Sequence, residues 1–143
     1  MVSEVREATF AFADIAGFTA LTEAQGDDHA ADLAAEFCDA VRAVLPEYGA
    51  EPIKTIGDAM LICVPEPAPA IRLGTRIAHE LMSAHGSPAV RVGMDHGPAV
   101  ERDGDYFGAA VNLAARVSGV ASGGEVLLTA STGGLAGAIA DVV

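Results

Sequence analysis

The clearest structural signal in the chain is EPIKTIGDAMLICV, residues 51–64. Glu51–Thr55 predicts a short strand, Gly57 lies in a turn, and Ala59–Val64 is nearly all apolar, which predicts a second strand buried on both faces. The two strands would form a hairpin with Asp58 at its tip. A hairpin at this point favours an antiparallel sheet over alternating parallel βα units.

The hydrophobic spacing of the flanking segments predicts the other elements. Upstream lie a buried strand at Ala8–Ile15, a helical stretch from Gly17 that the Gly26-Asp27-Asp28 turn interrupts, and an amphipathic helix from His29 to about Tyr48 that ends at Gly49. Asp27 or Asp28 is a candidate cap for that helix. Downstream lie a helix at Pro69–His85, a strand at Val90–His96, a helix at Phe107–Val120 and a strand at Glu125–Thr129.

This order, β-α-β-β-α-β-α-β, predicts an α+β fold. Its first six elements match a ferredoxin-like split β-α-β-β-α-β core, an antiparallel sheet with its helices on one face, and a C-terminal helix and strand are added to it. Residues 65–69 are proline-rich and break two periodic segments, but they form no long linker. We therefore expect residues 1–143 to form a single domain.

Composition limits the function classes. The chain has 143 residues and a formal net charge of −12, which would repel nucleic acid and anionic membranes, so neither is an expected partner. No apolar run approaches the roughly 20 residues of a membrane span, and the acidic N-terminus does not resemble a secretory signal, so we expect a cytoplasmic protein. Cys38 and Cys63 lie in apolar stretches and are predicted to be reduced packing residues.

Two carboxylates are placed where the pattern predicts a core edge. Asp14 is at the end of the first strand and Asp58 is at the hairpin tip. In a split β-α-β fold these strand ends can meet, and two carboxylates there would form a Mg²⁺ site completed by substrate phosphates. The alternative is that Asp14 caps the helix beginning near Gly17 and that Asp58 is an ordinary turn acid.

The segment after Asp14 opens a helix. Its first residues, Gly17, Phe18 and Thr19, have free backbone N–H groups that could hold phosphates beside the metal ions.

Three further polar residues are candidates for substrate binding. Lys54 is the chain's only lysine and lies four residues before Asp58, so it is either a donor to a purine ring or a strand-edge residue with a snorkelling stem. Asn112 and Arg116 share one helix face among small and apolar residues. Arg116 could stabilise charge developing on a phosphoryl group, and a plain surface pair is the alternative.

Together these residues resemble the class III adenylyl and guanylyl cyclase catalytic domain. Residues 12–19, FADIAGFT, are similar to that family's first metal motif, and residues 54–58, KTIGD, are similar to its second. Residues 105–116, DYFGAAVNLAAR, are similar to its purine and transition-state motif. The resemblance extends over residues 8–129 and implies a class III nucleotide cyclase fold.

The resemblance also implies a role for each matching residue. Asp14 and Asp58 would bind two divalent ions, Mg²⁺ or Mn²⁺, with the backbone carbonyl of Ile15. Lys54 and Asp105 match the pair that recognises adenine, which implies ATP as substrate and 3′,5′-cyclic AMP and pyrophosphate as products. Asn112 would orient the ribose and Arg116 would stabilise the pentavalent phosphorus.

In this family the sites form between the two subunits of a head-to-tail homodimer. One subunit supplies the metal ligands and the other supplies Lys54, Asp105, Asn112 and Arg116. Two departures stand out: the hairpin between Val90 and Asp105 is short, and the chain stops where family members usually continue with closing strands. The sequence thus predicts a domain that lacks the family's last strands.

Other functions are compatible with parts of the pattern. A catalytically inactive cyclase-homology domain could bind nucleotide or only dimerise, although all six family positions are filled. A receiver-type phosphoacceptor domain requires parallel βα units, which the 51–64 hairpin does not fit. A diguanylate cyclase should carry a Gly-Gly-Asp/Glu-Glu-Phe hairpin, which Gly57-Asp58-Ala59 does not supply.

Overall fold

The computed structural model describes residues 4–82 and 87–136. Its strands are β1 (Glu4–Ile15), β2 (Glu51–Ile56), β3 (Ala59–Val64), β4 (Val90–Arg102), β5 (Asp105–Phe107) and β6 (Val126–Leu128). Its helices are α1 (Phe18–Gln25), α2 (Asp27–Val44), α3 (Pro67–His79), α4 (Ala109–Val120) and α5 (Ala130–Ala136), with a 3-10 turn at Leu45–Tyr48.

The sheet confirms the predicted fold class. Its strand order is β2-β3-β1-β4-β5, and every pairing along that path is antiparallel, which is the split β-α-β-β-α-β arrangement. One pairing differs from the prediction, because β6 joins β4 in parallel, with Val92 opposite Val126. The short β6 follows α4, and that connection returns the chain in the direction of β4.

The larger apolar core lies between one face of the sheet and helices α2 and α3. Alternate residues of β1, Ala11, Ala13 and Ile15, point into it and meet Phe37 of α2 and Ile77 of α3. Cys38 belongs to this core as a free thiol. The α2 and α3 helices therefore pack on one face, as the sequence predicted.

A second apolar core lies on the opposite face, which the sequence analysis left uncovered. Phe10 and Tyr106 pack there with ring centroids 5.1 Å apart, and α4 covers the cluster with Ala110 and Ala114. A Cβ at Gly93 would lie 2.1 Å from the backbone nitrogen of Ser118, so only glycine lets α4 approach β4 this closely. The prediction of helices on one face was made for the split core and holds there, and α4, for which no face was predicted, lies on the opposite face.

The sheet curls around this second core until its two edges meet. Lys54 Nζ of β2 lies 2.9 Å from Asp105 Oδ2 of β5, although these strands are at opposite ends of the sheet order. Arg6 of β1 connects the same edges, since its Nη1 donates to the Tyr106 hydroxyl at 2.9 Å and lies 3.6 Å from Glu51 Oε2.

Several predicted boundaries were wrong. β4 runs through Gly97 and Pro98 to Arg102, because β1 supplies a partner at every register position from Glu4 opposite Glu101 to Ile15 opposite Val90. A two-residue turn with positive φ at Asp103 (54°) and Gly104 (79°) then leads into β5. Residues 105–107 are therefore strand, and α4 begins at Ala109 rather than Phe107.

The helix ends also differ from the predictions. Gly26 precedes α2, so Asp27 and Asp28 occupy its first turn and neither caps it. The α3 helix begins at Pro67 and ends at His79, and residues 83–85 of its predicted range lie outside the described residues. The α5 helix was not predicted, because residues 130–136 have little amphipathic pattern. Within 4–82 and 87–136, no helix combines the length and apolar character that crossing a membrane requires.

Candidate active site

The structure brings Asp14 and Asp58 near each other at one end of the strands, where β1 ends and β2 turns into β3. β1 and β3 are neighbours, with Ala13 opposite Met60, so the end of β1 lies beside the turn between β2 and β3. Asp58 Oδ2 accepts a hydrogen bond from the backbone N–H of Ile15 at 3.0 Å. Asp58 therefore accepts a hydrogen bond from the residue next to Asp14 on the neighbouring strand. The residue that precedes α1 is Gly17, so Asp14 does not cap this helix.

Asp58 is in an unfavourable environment for a charged carboxylate. Burial raises its pKa, and the charge of Asp14 acts in the same direction, whereas the Ile15 N–H and the Arg91 charge oppose the shift. A cation beside Asp58 would relieve this cost. Carboxylates with perturbed pKa values of this kind cluster at functional sites.

Arg91 is the residue near these acids that the sequence analysis missed. It lies opposite Asp14 on β4, and its Nε and Nη2 donate to the two Asp14 oxygens at 2.7 and 3.3 Å. Its Nη1 lies 3.4 Å from the Gly119 carbonyl and 3.3 Å from the Ala121 carbonyl, at the end of α4. The only sequence signal was an arginine at a strand start, and identifying its partner 77 residues away requires the β1–β4 register.

The donor set at this end of the strands fits a hard divalent cation. Two carboxylates and nearby backbone carbonyls are the oxygen ligands that Mg²⁺ and Mn²⁺ prefer. Among the described residues, no group of three or more His, Cys, Asp or Glu side chains is placed to hold a metal ion. The protein thus offers two carboxylates, and the remaining ligands would be backbone, water or substrate oxygens.

The α1 helix begins shortly after the end of β1. Gly17 has a φ of 69° and precedes the helix, which begins at Phe18. Within the described part of the chain, no side chain caps this helix, so the amides of its first turn remain available to an anion. The Phe18 side chain packs against the larger core, while Gly17 and Thr19 are exposed.

The Lys54 and Asp105 side chains form a pair that is accessible to solvent. Their 2.9 Å contact leaves the lysine side chain 39% and the aspartate side chain 30% exposed. The hydrogen bond from Lys54 holds the pKa of Asp105 below its ordinary value, and the Tyr106 N–H donates to the other oxygen at 2.7 Å. A charged donor and a charged acceptor are thus fixed side by side.

Asn112 and Arg116 lie on the exposed face of α4. The buried residues of this helix, Ala110, Val111, Ala114 and Ser118, point at the sheet. Positions 112 and 116 are on the other side of the helix. These two side chains therefore face away from their own sheet and are exposed to solvent.

Comparison with known proteins gives a consistent result. Residues 1–137 match the sequence profile of the adenylate and guanylate cyclase catalytic domain. A pH-sensitive adenylate cyclase of Mycobacterium tuberculosis is 39% identical over 129 residues, covering 88% of this chain and 32% of that protein. An adenylate cyclase of Streptomyces griseus is 32% identical over 117 residues, covering 82% of this chain and 29% of that protein.

Solved structures share the fold. The catalytic core of a rhodopsin-guanylyl cyclase with converted specificity, in complex with ATPαS, has a TM-score of 0.86 at 23% identity and covers 94% of this chain and 83% of its own. The adenylyl cyclase CyaB from P. aeruginosa has a TM-score of 0.80 at 22% identity and covers 94% of this chain and 82% of its own. The present chain spans about a third of the length of the curated relatives named above.

Proposed function

Since the chain belongs to the adenylate and guanylate cyclase catalytic domain family, we propose that it converts ATP to 3′,5′-cyclic AMP and pyrophosphate as a cytoplasmic, single-domain homodimer. The observation that carries the proposal is the presence of both halves of a site in one chain. A carboxylate pair at the end of β1 fits divalent ions, and the Lys54–Asp105 pair fits a purine.

The carboxylate pair would hold two Mg²⁺ or Mn²⁺ ions through Asp14, Asp58 and the Ile15 carbonyl. Bound there, the ions would supply Lewis-acid stabilisation to the attacking ribose 3′-oxygen and to the departing pyrophosphate. The backbone N–H groups of Gly17, Phe18 and Thr19 would donate hydrogen bonds to phosphate oxygens, because the start of α1 closely follows Asp14.

The Lys54–Asp105 pair supports a purine nucleotide, and the likeness to proteins named adenylate cyclase favours ATP over GTP. Adenine presents an acceptor at N1 and a donor at its N6 amino group, and guanine presents a donor at N1 and an acceptor at O6. Lys54 can only donate, and ionised Asp105 can only accept, so the pair complements N1 and N6 of adenine in one orientation and O6 and N1 of guanine in the reverse one. The Lys54 hydrogen bond lowers the pKa of Asp105 further below neutral, so Asp105 is ionised and can accept at neutral pH.

The outward face of α4 supports a shared site. Asn112 would orient the ribose, and Arg116 would stabilise the charge that develops on the α-phosphorus. Since both residues face away from their own sheet, the substrate that they contact would lie at the Asp14–Asp58 site of a second copy. In a head-to-tail homodimer, α4 of each copy would meet the carboxylate site of the other, so two shared sites would form.

The direct test is product formation by the purified chain. We expect cyclic AMP from ATP with Mg²⁺ or Mn²⁺, much less cyclic GMP from GTP, and no product after addition of a chelator. The matched control is Asp14→Asn, which retains size and polarity but loses the charge. Absence of product under every condition would indicate a nucleotide-binding or dimerisation module, and cyclic GMP alone would refute the roles of Lys54 and Asp105.

A further inference from the structure

Arg6 contacts the residue next to Asp105 but is not one of the residues proposed to touch the substrate. We propose that Arg6 is a positioning residue for purine selection, which acts through Tyr106 to hold Asp105 beside Lys54 so that the pair meets the purine in one orientation. This inference rests on the proposed function, because it concerns the same pair and the same substrate.

The base preference of the Lys54–Asp105 pair depends on its orientation. An ammonium at N1 and a carboxylate at N6 complement adenine, whereas the reverse order complements guanine. The residue types alone therefore do not select the base, and the position of the carboxylate relative to the rest of the site does. A group that fixes Asp105 should then affect the preference between adenine and guanine.

Both oxygens of Asp105 accept hydrogen bonds. Oδ2 accepts from Lys54 Nζ at 2.9 Å, and Oδ1 accepts from the backbone N–H of Tyr106 at 2.7 Å. The lysine is at the end of a flexible four-carbon stem, whereas the N–H belongs to the backbone of β5. The position of the carboxylate therefore follows the position of β5 at Tyr106.

The Tyr106 side chain fixes this part of β5. The residue is 2% exposed, its ring centroid lies 5.1 Å from that of Phe10, and its hydroxyl accepts from Arg6 Nη1 at 2.9 Å. Burial raises the pKa of the hydroxyl, so it is neutral and can accept at neutral pH. Since β5 is only three residues long and lies at the end of the sheet order, this bond to β1 adds a constraint that pairing with β4 does not supply.

Arg6 also connects β5 to the strand that carries Lys54. It lies on β1, opposite Ala99 of β4, and its Nη1 is 3.6 Å from Glu51 Oε2 at the start of β2. The guanidinium is planar and presents several donors in a fixed geometry, so one side chain can hold both neighbours. The strands of Lys54 and Asp105 are thus joined through Arg6 as well as through their own contact.

The test measures the binding of 3′-deoxy-ATP and 3′-deoxy-GTP, which cannot cyclise, by isothermal titration calorimetry with Mg²⁺. We expect the native chain to bind the adenine analogue about tenfold more tightly. Arg6→Gln, and Tyr106→Phe, which retains the ring, should each lower this preference about tenfold, on the scale of one hydrogen bond to a charged group. Inorganic tripolyphosphate has no base, so its Kd should be unchanged in both variants.

Two controls separate positioning from a general loss of structure. Arg76 resembles Arg6, with 30% and 32% of the side chains exposed, and lies 3.0 Å from Glu47, but it is on α3, across the sheet from Tyr106. Arg76→Gln should therefore keep the native preference. The double variant Arg6→Gln/Tyr106→Phe should match either single variant, because Arg6 acts through the hydroxyl.

An unchanged base preference in folded Arg6→Gln or Tyr106→Phe would overturn the inference. Additive losses in the double variant, weaker tripolyphosphate binding in the single variants, or equal binding of the two analogues by the native chain would overturn it as well. Should Arg6→Gln fail to fold, the result for Tyr106→Phe decides.

The binding readout is separate from catalysis. A native chain that makes no cyclic AMP, while both variants lose the base preference, would refute the proposed function alone. A native chain that makes cyclic AMP, while the variants keep the preference, would refute the role of Arg6 alone.

Discussion

Asp58 combines two properties that normally conflict. Its carboxylate is held by the Ile15 N–H at the edge of the core, yet burial and the neighbouring Asp14 charge raise its pKa. A group of this kind lowers the stability of the metal-free fold in its ionised form. We therefore expect ionised Asp58 to reduce the stability of the metal-free domain.

We expect Asp58→Asn to raise the Tm of the metal-free domain at pH 7 and to abolish catalysis. Asparagine can still accept from Ile15, and it carries no charge to desolvate. The pH dependence follows from the raised pKa. The native state binds more protons than the unfolded state near that pKa, so the contribution of Asp58 to stability is present at low pH and is lost as the pH rises through its native pKa.

Thermal unfolding with a chelator from pH 4 to 8 checks this prediction. The Tm difference between Asp58→Asn and the native protein should grow with pH and then level off. Asp28→Asn, at an exposed position in the first turn of α2, should show no such gain. A variant less stable than the native protein at pH 7 would contradict the assignment.

Asp14 should be essential for turnover if it binds the metal ions. We expect Asp14→Ala to lower kcat by at least ~10³-fold, on the scale of losing a major electrostatic stabiliser. Steady-state cyclic AMP production measures the loss, and circular dichroism checks that the fold is retained. Near-normal turnover in a folded variant would remove Asp14 from the metal site.

At the scale of elements, the sequence predicted local structure better than it predicted which strands and side chains pair. Neighbouring residues determine the 51–64 hairpin and the amphipathic pattern of α2, and both were predicted. The same is true of the end of that helical segment at Gly49, which has a φ of 66°. The Asp14–Arg91 pair and the curl that joins Lys54 to Asp105 depend on strand order and register. Such long-range contacts leave little trace in local periodicity, so the types of the site residues were predictable but not all of their partners.

The α4 helix provides a test of packing at this scale. A Cβ at Gly93 would meet the backbone of Val117 and Ser118, whereas one at Gly119, on the same helix, would meet nothing within 4 Å. We expect Gly93→Ala to destabilise the domain by about 3 kcal/mol, because backbone cannot move aside as a side chain can. Gly119→Ala should instead stabilise it by roughly 0.5–1 kcal/mol.

Urea unfolding of both variants measures these changes. A loss at Gly93 below about 1 kcal/mol, within the range of ordinary substitutions, would mean that α4 sits farther from β4 than described. Because Arg91 bonds to the end of this helix, a displaced α4 should also disturb the carboxylate pair.

At the scale of the whole molecule, the curled sheet leaves apolar side chains beside the Lys54–Asp105 pair. Ile56 and Phe107, each two residues beyond a member of the pair, are 56% and 55% exposed. We expect them to be buried by a second copy in the proposed homodimer. Phe107→Ser should then weaken dimerisation at least tenfold, on the scale of losing an aromatic interface anchor.

Sedimentation equilibrium of the native protein and the variant checks this prediction. Leu135→Ser is the control, because Leu135 is 63% exposed on α5, which packs against α3 on the far side of the molecule. Equal effects of the two substitutions would place the dimer contact elsewhere.

The central claim is that two copies of the chain build each site, and mixing two inactive variants tests it most directly. Asp14→Ala lacks a metal ligand and Arg116→Ala lacks the transition-state cation, so each alone should be inactive. In a mixed dimer one of the two sites is intact, because it takes Asp14 from one copy and Arg116 from the other. Random pairing of equal amounts therefore predicts about a quarter of native activity, and activity no higher than that of the separate variants would contradict the shared site.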